Sequence, residues 1–156
     1  MYLVRHAKAA DRTRFEGRDR DRPLVRRGRE QAARLAAALA PERPALVAAS
    51  PWLRCRQTAA PLAAALGLGV ELDDRLGYDA PDLDGWVRST ARDHPGQAVV
   101  GVSHGDLVPM YLLRAGALSA PPRYRTGSMF RLQVRDGRLL AALLVDRDEL
   151  PGMRIR

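Results

Sequence analysis

The 156-residue sequence contains little cysteine, few aromatic residues and almost no lysine. A single cysteine, Cys55, cannot form an internal disulfide, so a disulfide-stapled secreted scaffold is excluded and a reducing compartment is expected. Aromatic residues make up only 5% of the chain, so Ala, Leu and Val must fill the core. Lys8 is the one lysine among 26 basic residues, and the net charge of +8 therefore comes from arginine.

Long apolar runs are also missing. No run approaches the ~20 residues that a membrane-spanning helix requires. The first residues, MYLVRH, reach a charge at Arg5, which leaves no room for the apolar region of a signal peptide. The sequence therefore predicts a cytoplasmic protein with no membrane partner. Its length corresponds to about one domain, which we assign to residues 1–156.

The basic charge raises the question of nucleic-acid binding. A base-stacking surface requires basic residues interleaved with aromatic ones, and this sequence lacks that pattern. It also contains no known nucleic-acid-binding module. Binding of an anionic small substrate would explain the net positive charge equally well. We expect no nucleic-acid partner and keep nucleic-acid binding as a distant alternative, which steeply salt-dependent binding would reveal.

Short apolar segments alternate with amphipathic ones along the chain, as in α/β proteins. This alternation predicts a three-layer α/β/α sandwich with a mostly parallel central sheet and an antiparallel C-terminal strand or hairpin. Ser50 is expected to cap a helix with Pro51 at its first position, and Asp136-Gly137 is a strong hairpin signal. The expected strands are 2–5, 46–49, 70–72, 98–103, 129–135 and 138–145, and the expected helices are 28–39, 51–66, 83–92 and 107–114.

Polar residues follow three of the predicted strands where ligands bind in such sheets, at the carboxyl ends. Arg5 and His6 end the first strand, Arg54 follows the second, and His104 ends the AVVGVS strand. If these strands are neighbours, two arginines and two histidines converge on one pocket. Guanidinium groups match phosphate oxygens in a bidentate fashion, so the pocket is suited to a phosphoryl group.

One of the two histidines can then act as a nucleophile that carries the phosphoryl group covalently. Its attacking nitrogen must be unprotonated, and the other nitrogen is expected to donate to a backbone carbonyl, which fixes the tautomer. The second histidine, if charged, adds a further donor to the phosphoryl oxygens.

Four segments in order resemble one known family. LVRHAKA at 3–9 resembles the Arg-His-Gly signature of the histidine phosphatase (phosphoglycerate mutase-like) superfamily, and Ala7 in its third position is typical of the SixA-like phosphohistidine phosphatase branch. The resemblance implies a phosphoglycerate mutase-like fold, His6 as phosphoacceptor, and Arg5, Arg54 and His104 around the phosphate. It implies no metal and no organic cofactor. The other matching segments are RPLVRRGREQA at 22–32, SPWLRCRQTA at 50–59 and VSHGD at 102–106.

The resemblance implies a phosphorylated protein histidine or a small phosphorylated metabolite as the substrate. The loop around 10–22 and HGDLVP at 104–109 also resemble phosphatase domains fused to Nudix hydrolases, which hints at a nucleotide, although no Nudix box is present. A nucleotide or sugar-phosphate phosphatase and a non-catalytic phosphate-binding module remain alternatives, and the oligomeric state stays open. Lys8, Arg18, Gly105 and Asp106 are the expected substrate-binding residues.

The general acid is the least defined part of the predicted site. Many members of the family carry an acidic residue in the loop after the third strand, and Asp79, in the middle of that loop, is our candidate. Asp73, Asp74 and Asp82 lie in the same loop. A divalent metal held by His6, His104 and Asp106 is a further alternative, which the neighbouring arginines disfavour because they repel a cation.

Overall fold

The computed structural model describes residues 1–150, so the last six residues of the predicted domain, 151–156, lie outside the described residues. No helix in the described part combines the length and the apolar composition needed to cross a bilayer. The strands are β1 (Tyr2–Arg5), β2 (Leu46–Ala49), β3 (Glu71–Leu72), β4 (Val99–Ser103), β5 (Met129–Arg135) and β6 (Arg138–Val145). The α-helices are α1 (Arg26–Leu39), α2 (Leu53–Leu66), α3 (Leu83–Asp93) and α4 (Leu107–Arg114).

The six strands form one sheet in the order β3-β2-β4-β1-β5-β6. Strand β4 lies between β2 and β1 and is parallel to both, with Ser103 opposite Arg5 and Val102 opposite Ala49. Strands β5 and β6 form an antiparallel hairpin that joins the sheet beside β1. The predicted α/β fold is therefore confirmed, and the three predicted strand ends meet at one edge of the sheet.

Helices cover both faces of the sheet. Successive side chains of a strand point to opposite faces, and accordingly Val4 packs with the buried residues of α1 and α2, while Leu3 packs with those of α3 and α4. Trp86 of α3 is among the largest fully buried side chains of the second layer. With so few aromatic residues, the remainder of both layers is filled mainly by Leu, Val and Ala.

Helix α2 begins later than its sequence predicts. We expected Ser50 as the N-cap and Pro51 as the first helical residue, but the helix begins at Leu53, with Trp52 in an extended conformation before it. The assignment of Ser50 as the N-cap was therefore wrong, because the extended backbone of Trp52 delays the first helical residue to Leu53. The Ser50 hydroxyl accepts from the Trp52 amide at 3.4 Å in the turn before the helix, and it also lies 3.0 Å from Nε2 of His104.

The terminal hairpin has the turn that its sequence predicts. Asp136 and Gly137 have φ angles of 52° and 72°, the left-handed conformation required at both central positions of a type I′ turn. This twist matches that of the flanking strands, so the two-residue loop sets the pairing of β5 with β6.

Gly101, in the middle of β4, provides a stability test of the packing between sheet and helix. A Cβ added there would lie 2.6 Å from Cη2 of Trp86, whose side chain is fully buried. We expect Gly101→Ala to lower the free energy of unfolding by about 1–3 kcal/mol because the ring cannot retreat without overpacking. Urea denaturation measures this. Gly69→Ala, where an added Cβ meets nothing within 4 Å, is the matched control, and equal effects at the two sites would contradict the packing argument.

Candidate active site

A cleft of about 770 Å³ opens at the edge of the sheet where β1, β2 and β4 end. The structure brings His6, Arg54 and His104 together: His6 and Arg54 form the floor of this cleft, and His104 lies behind its lining. Nε of Arg54 lies 3.2 Å from Nε2 of His6, and Nη2 of the same guanidinium lies 3.4 Å from Nδ1 of His104. Residues separated by almost a hundred positions in the chain therefore share one arginine as their common neighbour.

The hydrogen bonds of His6 define its tautomer. Nδ1 lies 2.8 Å from the carbonyl oxygen of Ala7, which can only accept, so Nδ1 carries the proton. A guanidinium can only donate, so Nε2 accepts from Nε of Arg54 through its lone pair. This is the arrangement expected of a nucleophilic imidazole, with one nitrogen fixed by the backbone and the other unprotonated.

The environment of His6 keeps the ring neutral. Its side chain is almost completely buried, and burial lowers its pKa to about 4. The hydrogen bond to Ala7 opposes this shift, and the positive charges of Arg54 and Arg5 reinforce it. At neutral pH the Nε2 lone pair is therefore available without prior removal of a proton.

This depressed pKa predicts how stability depends on pH. In the unfolded chain His6 titrates near 6.5 and in the folded chain near 4, so between these values the unfolded chain binds a proton that the folded chain does not. The free energy of unfolding is therefore expected to fall as the pH decreases from 6.5 towards 4, with His6 contributing roughly 3 kcal/mol by the acid end.

Urea titrations across this pH range measure the effect. His6→Asn is expected to reduce the slope of this pH dependence, and part of the slope should remain because burial also lowers the pKa of His104. Identical slopes for wild type and His6→Asn would contradict the assignment.

His104 lies beneath the wall of the cleft and is completely buried. The ring of Tyr78 covers it, with 4.1 Å between the ring centroids. Because Arg54 donates towards Nδ1, the proton is on Nε2, which donates to Oγ of Ser50. Burial, followed by the charge of Arg54, lowers the pKa of His104 to about 2, so this ring is neutral in the free protein.

Arg5 lies beside the main chain of Gly105. One of its terminal nitrogens donates to the carbonyl of Tyr124, while its Nε is buried and has no partner among the described residues. A Cβ at position 105 would lie 2.5 Å from that Nε, so glycine is the residue that permits this approach. A buried N–H without an acceptor is unfavourable, and the Arg5 residue as a whole also lines the cleft.

Backbone and side-chain contacts brace the nucleophile and its arginine together. The amide of Ala7 donates to Oγ1 of Thr58 at 3.0 Å, and the Thr58 hydroxyl donates to the carbonyl of Arg54 at 2.6 Å. One threonine thus joins the segment after β1 to the first turn of α2, and it holds the two segments in register.

Comparisons with known proteins identify the family of this chain. The model of the histidine phosphatase superfamily (branch 1) matches residues 1–77. The chain is 32% identical over 159 residues to an 8-oxo-(d)GTP phosphatase of Mycolicibacterium smegmatis, an alignment that covers 91% of this chain and 46% of that protein. The chain belongs to the histidine phosphatase superfamily. It spans about half the length of this curated relative.

Solved structures of histidine phosphatases share the fold. A SixA protein from Agrobacterium tumefaciens is 28% identical, with a TM-score of 0.70 and coverage of 93% of this chain and 94% of that one. The protein histidine phosphatase SixA complexed with tungstate has a TM-score of 0.73 at 23% identity, with 92% of both chains covered. The predicted membership of the superfamily and of its SixA-like branch is thus confirmed.

Three of the predicted substrate-binding residues of this histidine phosphatase domain line the cleft: Lys8, Gly105 and Asp106. Asp106 also caps α4, as its sequence position predicts, and accepts a hydrogen bond from the Tyr78 hydroxyl at 2.6 Å. The remaining substrate-binding candidate, Arg18, is exposed outside the cleft lining and pairs with Asp21 at 2.7 Å.

Asp79 is also absent from the lining of the cleft. Its carboxylate accepts a hydrogen bond of 2.9 Å from Nε1 of Trp52 at the exposed rim. Within residues 1–150, no three His, Cys, Asp or Glu side chains lie close enough together to hold a metal ion. The alternative metal site of His6, His104 and Asp106 is therefore not formed.

Sequence reasoning missed several residues of the cleft. The Arg54 guanidinium lies over the ring of Trp52, with its central carbon 4.6 Å from the ring centroid. The rings of Trp52 and Tyr78 pack in a T-shaped arrangement. Aromatic residues are rare in this chain, and two of them next to predicted site segments were a usable signal. Asp19 and Arg22 also line the cleft, but no signal separated them from the other charged residues of the loop 10–26.

Proposed function

We propose that this domain is a phosphatase in which Nε2 of His6 attacks the phosphoryl group of the substrate and forms a phosphohistidine. The supporting observation is the pairing of a neutral His6, whose Nδ1–H is held by Ala7, with Arg54 at its unprotonated nitrogen. Nucleophilic catalysis by histidine requires one ring nitrogen with a free lone pair and a ring held in a fixed orientation, and these contacts are consistent with both requirements.

The reaction has two displacements. The Nε2 lone pair forms a bond to phosphorus, and the bond from phosphorus to the leaving group breaks, with the electron pair departing on that group. Water then attacks the phosphorus, the P–N bond breaks, and its electron pair returns to Nε2. The proton lost by the water leaves with inorganic phosphate or passes to solvent, so the imidazole is regenerated in its starting form.

Cationic donors stabilise the charge that spreads over the equatorial oxygens in both displacements. Arg54 lies beside the nucleophile, and Arg5, at the end of β1, also lines the cleft and adds positive charge. His104, neutral in the free protein, adds a hydrogen-bond donor if it gains a proton beside the phosphoryl dianion. The proposed chemistry uses neither a metal nor an organic cofactor, because these side chains supply the positive charge.

The position of the predicted acid favours substrates with a good leaving group. The carboxylate of Asp79 is engaged by Trp52 at the rim, away from the lining of the cleft. Phosphoamidates and phosphoanhydrides need less protonation of the leaving group than phosphate esters of sugar alcohols. We therefore propose a phosphohistidine protein or a small phosphorylated metabolite with such a bond as the substrate.

Trapping of the intermediate tests the proposal. The protein is mixed with a phosphoramidate substrate in the presence of a chelator and quenched in denaturing alkali, where phosphohistidine survives. Intact-mass analysis should show the gain of one phosphoryl group, and peptide mapping should locate it on His6. Hydrolysis that requires an added divalent metal, or a phosphoryl group on another residue, would overturn the proposed mechanism.

A nucleotide substrate is the second candidate. It is favoured by the relative named an 8-oxo-(d)GTP phosphatase and by the aromatic side chains of Trp52 and Tyr78 in the wall of the cleft. Lys8 and Arg22 line the same cleft and could pair with further phosphates of a nucleotide chain. Rates measured on a phosphohistidine protein and on a panel of nucleoside di- and triphosphates separate the two candidates. Phosphate binding with no turnover of any substrate would instead indicate a binding module.

A further inference from the structure

The two terminal nitrogens of Arg54 contact Asp19, in the turn at residues 19–21 of the long loop. Nη1 donates to the backbone carbonyl of Asp19 at 2.9 Å, and Nη2 lies 3.5 Å from Oδ2 of the same residue. The other carboxylate oxygen, Oδ1, accepts from Nε of Arg22 at 2.8 Å. One acidic residue therefore contacts both an arginine of the cleft floor and an arginine of its wall.

Asp19 brings a permanent negative charge into a cationic cleft. Burial by itself would raise its pKa, but the hydrogen bond from Arg22 and the charges of Arg54 and Arg22 together lower the pKa below its ordinary value. The carboxylate is thus ionised throughout the neutral range, and it lies among the donors that an incoming phosphoryl group would use.

The contacts of Arg54 place this carboxylate in competition with the substrate. Nε of Arg54 faces His6, Nη1 faces the Asp19 carbonyl, and Nη2 faces the Asp19 carboxylate and His104. A phosphoryl group bound at Nε2 of His6 must take at least one of these donors. The contact between Nη2 and the carboxylate is the longest of them at 3.5 Å, and it is the one most readily exchanged because charged hydrogen bonds are strongest at 2.7–2.9 Å.

We infer that Asp19 is an internal anion that competes with the phosphoryl group for Arg54 and Arg22, and that it thereby sets the affinity of the site for phosphate. This inference rests on the proposed function, because it requires the phosphoryl group to bind beside His6. In this role Asp19 sets affinity and takes no part in bond making. By weakening the binding of the product, it keeps inorganic phosphate from saturating the site.

Binding of inorganic phosphate to two isosteric variants tests the inference. Asp19→Asn removes the competing charge but keeps the backbone carbonyl and the size of the side chain. Asp21→Asn makes the same change of net charge in the same turn, where Asp21 pairs with the exposed Arg18. Calorimetric titration and product inhibition should both show phosphate binding about fivefold more tightly to Asp19→Asn than to wild type. Asp21→Asn should resemble wild type.

A purely structural role for Asp19 predicts the opposite sign, since a disordered loop would weaken phosphate binding. Asp19→Ser, which also lacks the carboxylate, must therefore shift the affinity in the same direction as Asp19→Asn. Equal or weaker phosphate binding by both Asp19 variants, with wild type binding normally, would overturn this inference alone. Failure of wild type itself to bind phosphate at the cleft would overturn the proposed function together with it.

Discussion

Replacement of His6 by alanine is expected to lower kcat/KM by about 10⁴-fold or more, because it removes the atom that forms the bond to phosphorus. The buried pocket of Ala7, Thr58 and Arg54 remains, so phosphate binding should persist while turnover is lost. Initial rates on a phosphoramidate and calorimetric titration with phosphate measure the two quantities on the same preparation. The loss is thus expected in kcat, with no covalent phosphoryl-enzyme detectable after alkaline quench.

His94→Ala is the matched control for this experiment. His94 is a partly buried histidine at the end of α3, outside the lining of the cleft, and its Nδ1 lies 3.2 Å from Oε1 of Gln97. The control should retain wild-type rates and should still be phosphorylated. A His6→Ala variant that keeps full activity without metal would end the proposal of a phosphohistidine mechanism.

Replacement of Arg54 by alanine is expected to reduce kcat by about 10²–10³-fold. The guanidinium is the common neighbour of His6 and His104, and the removal of one donor to a developing oxyanion typically has an effect of this size. Arg54→Lys should recover a small part of the activity, since an ammonium group supplies charge but lacks the planar fork that reaches several partners at once. Steady-state kinetics on the same substrate measures both variants.

Arg56→Ala is the control because Arg56 lies on the same helix with its side chain exposed. Arg54 itself is buried, so its variants must be compared at matched folded fractions, determined by thermal melting. An Arg54→Ala variant with kcat within a few-fold of wild type would show that phosphoryl transfer does not depend on this arginine.

Most of the fold could be predicted from sequence because the strands have unambiguous local signals. The bounds of β1, β2, β5 and β6 agree with their predicted ranges, and α2 ends at Gly67 in the left-handed conformation that glycine favours. The order of the strands was not predicted, because hydrophobic patterning is local while strand order depends on contacts between distant segments. Only the structure shows that β4 separates β1 from β2.

The convergence of His6, Arg5, Arg54 and His104 could also be predicted, since each follows or ends a strand at the same edge of the sheet. The sequence was less informative about which residues lie at the rim of the cleft. Asp79, our candidate acid, is bound by the indole of Trp52, and this partner lies 27 positions away in sequence. The loop 10–26 carries so many charges that its composition alone does not separate Asp19, which faces the cleft, from Arg18, which does not.

The central position of β4 has a consequence for the synthesis of the chain. Strands β1 and β2 both pair with β4, and neither pairs with the other. A nascent polypeptide that has emerged only as far as α3 therefore has two apolar strands whose shared partner is still inside the ribosome. Such an intermediate presents free edges that favour self-association, so its fate before the arrival of Val99–Ser103 will govern the yield of native protein.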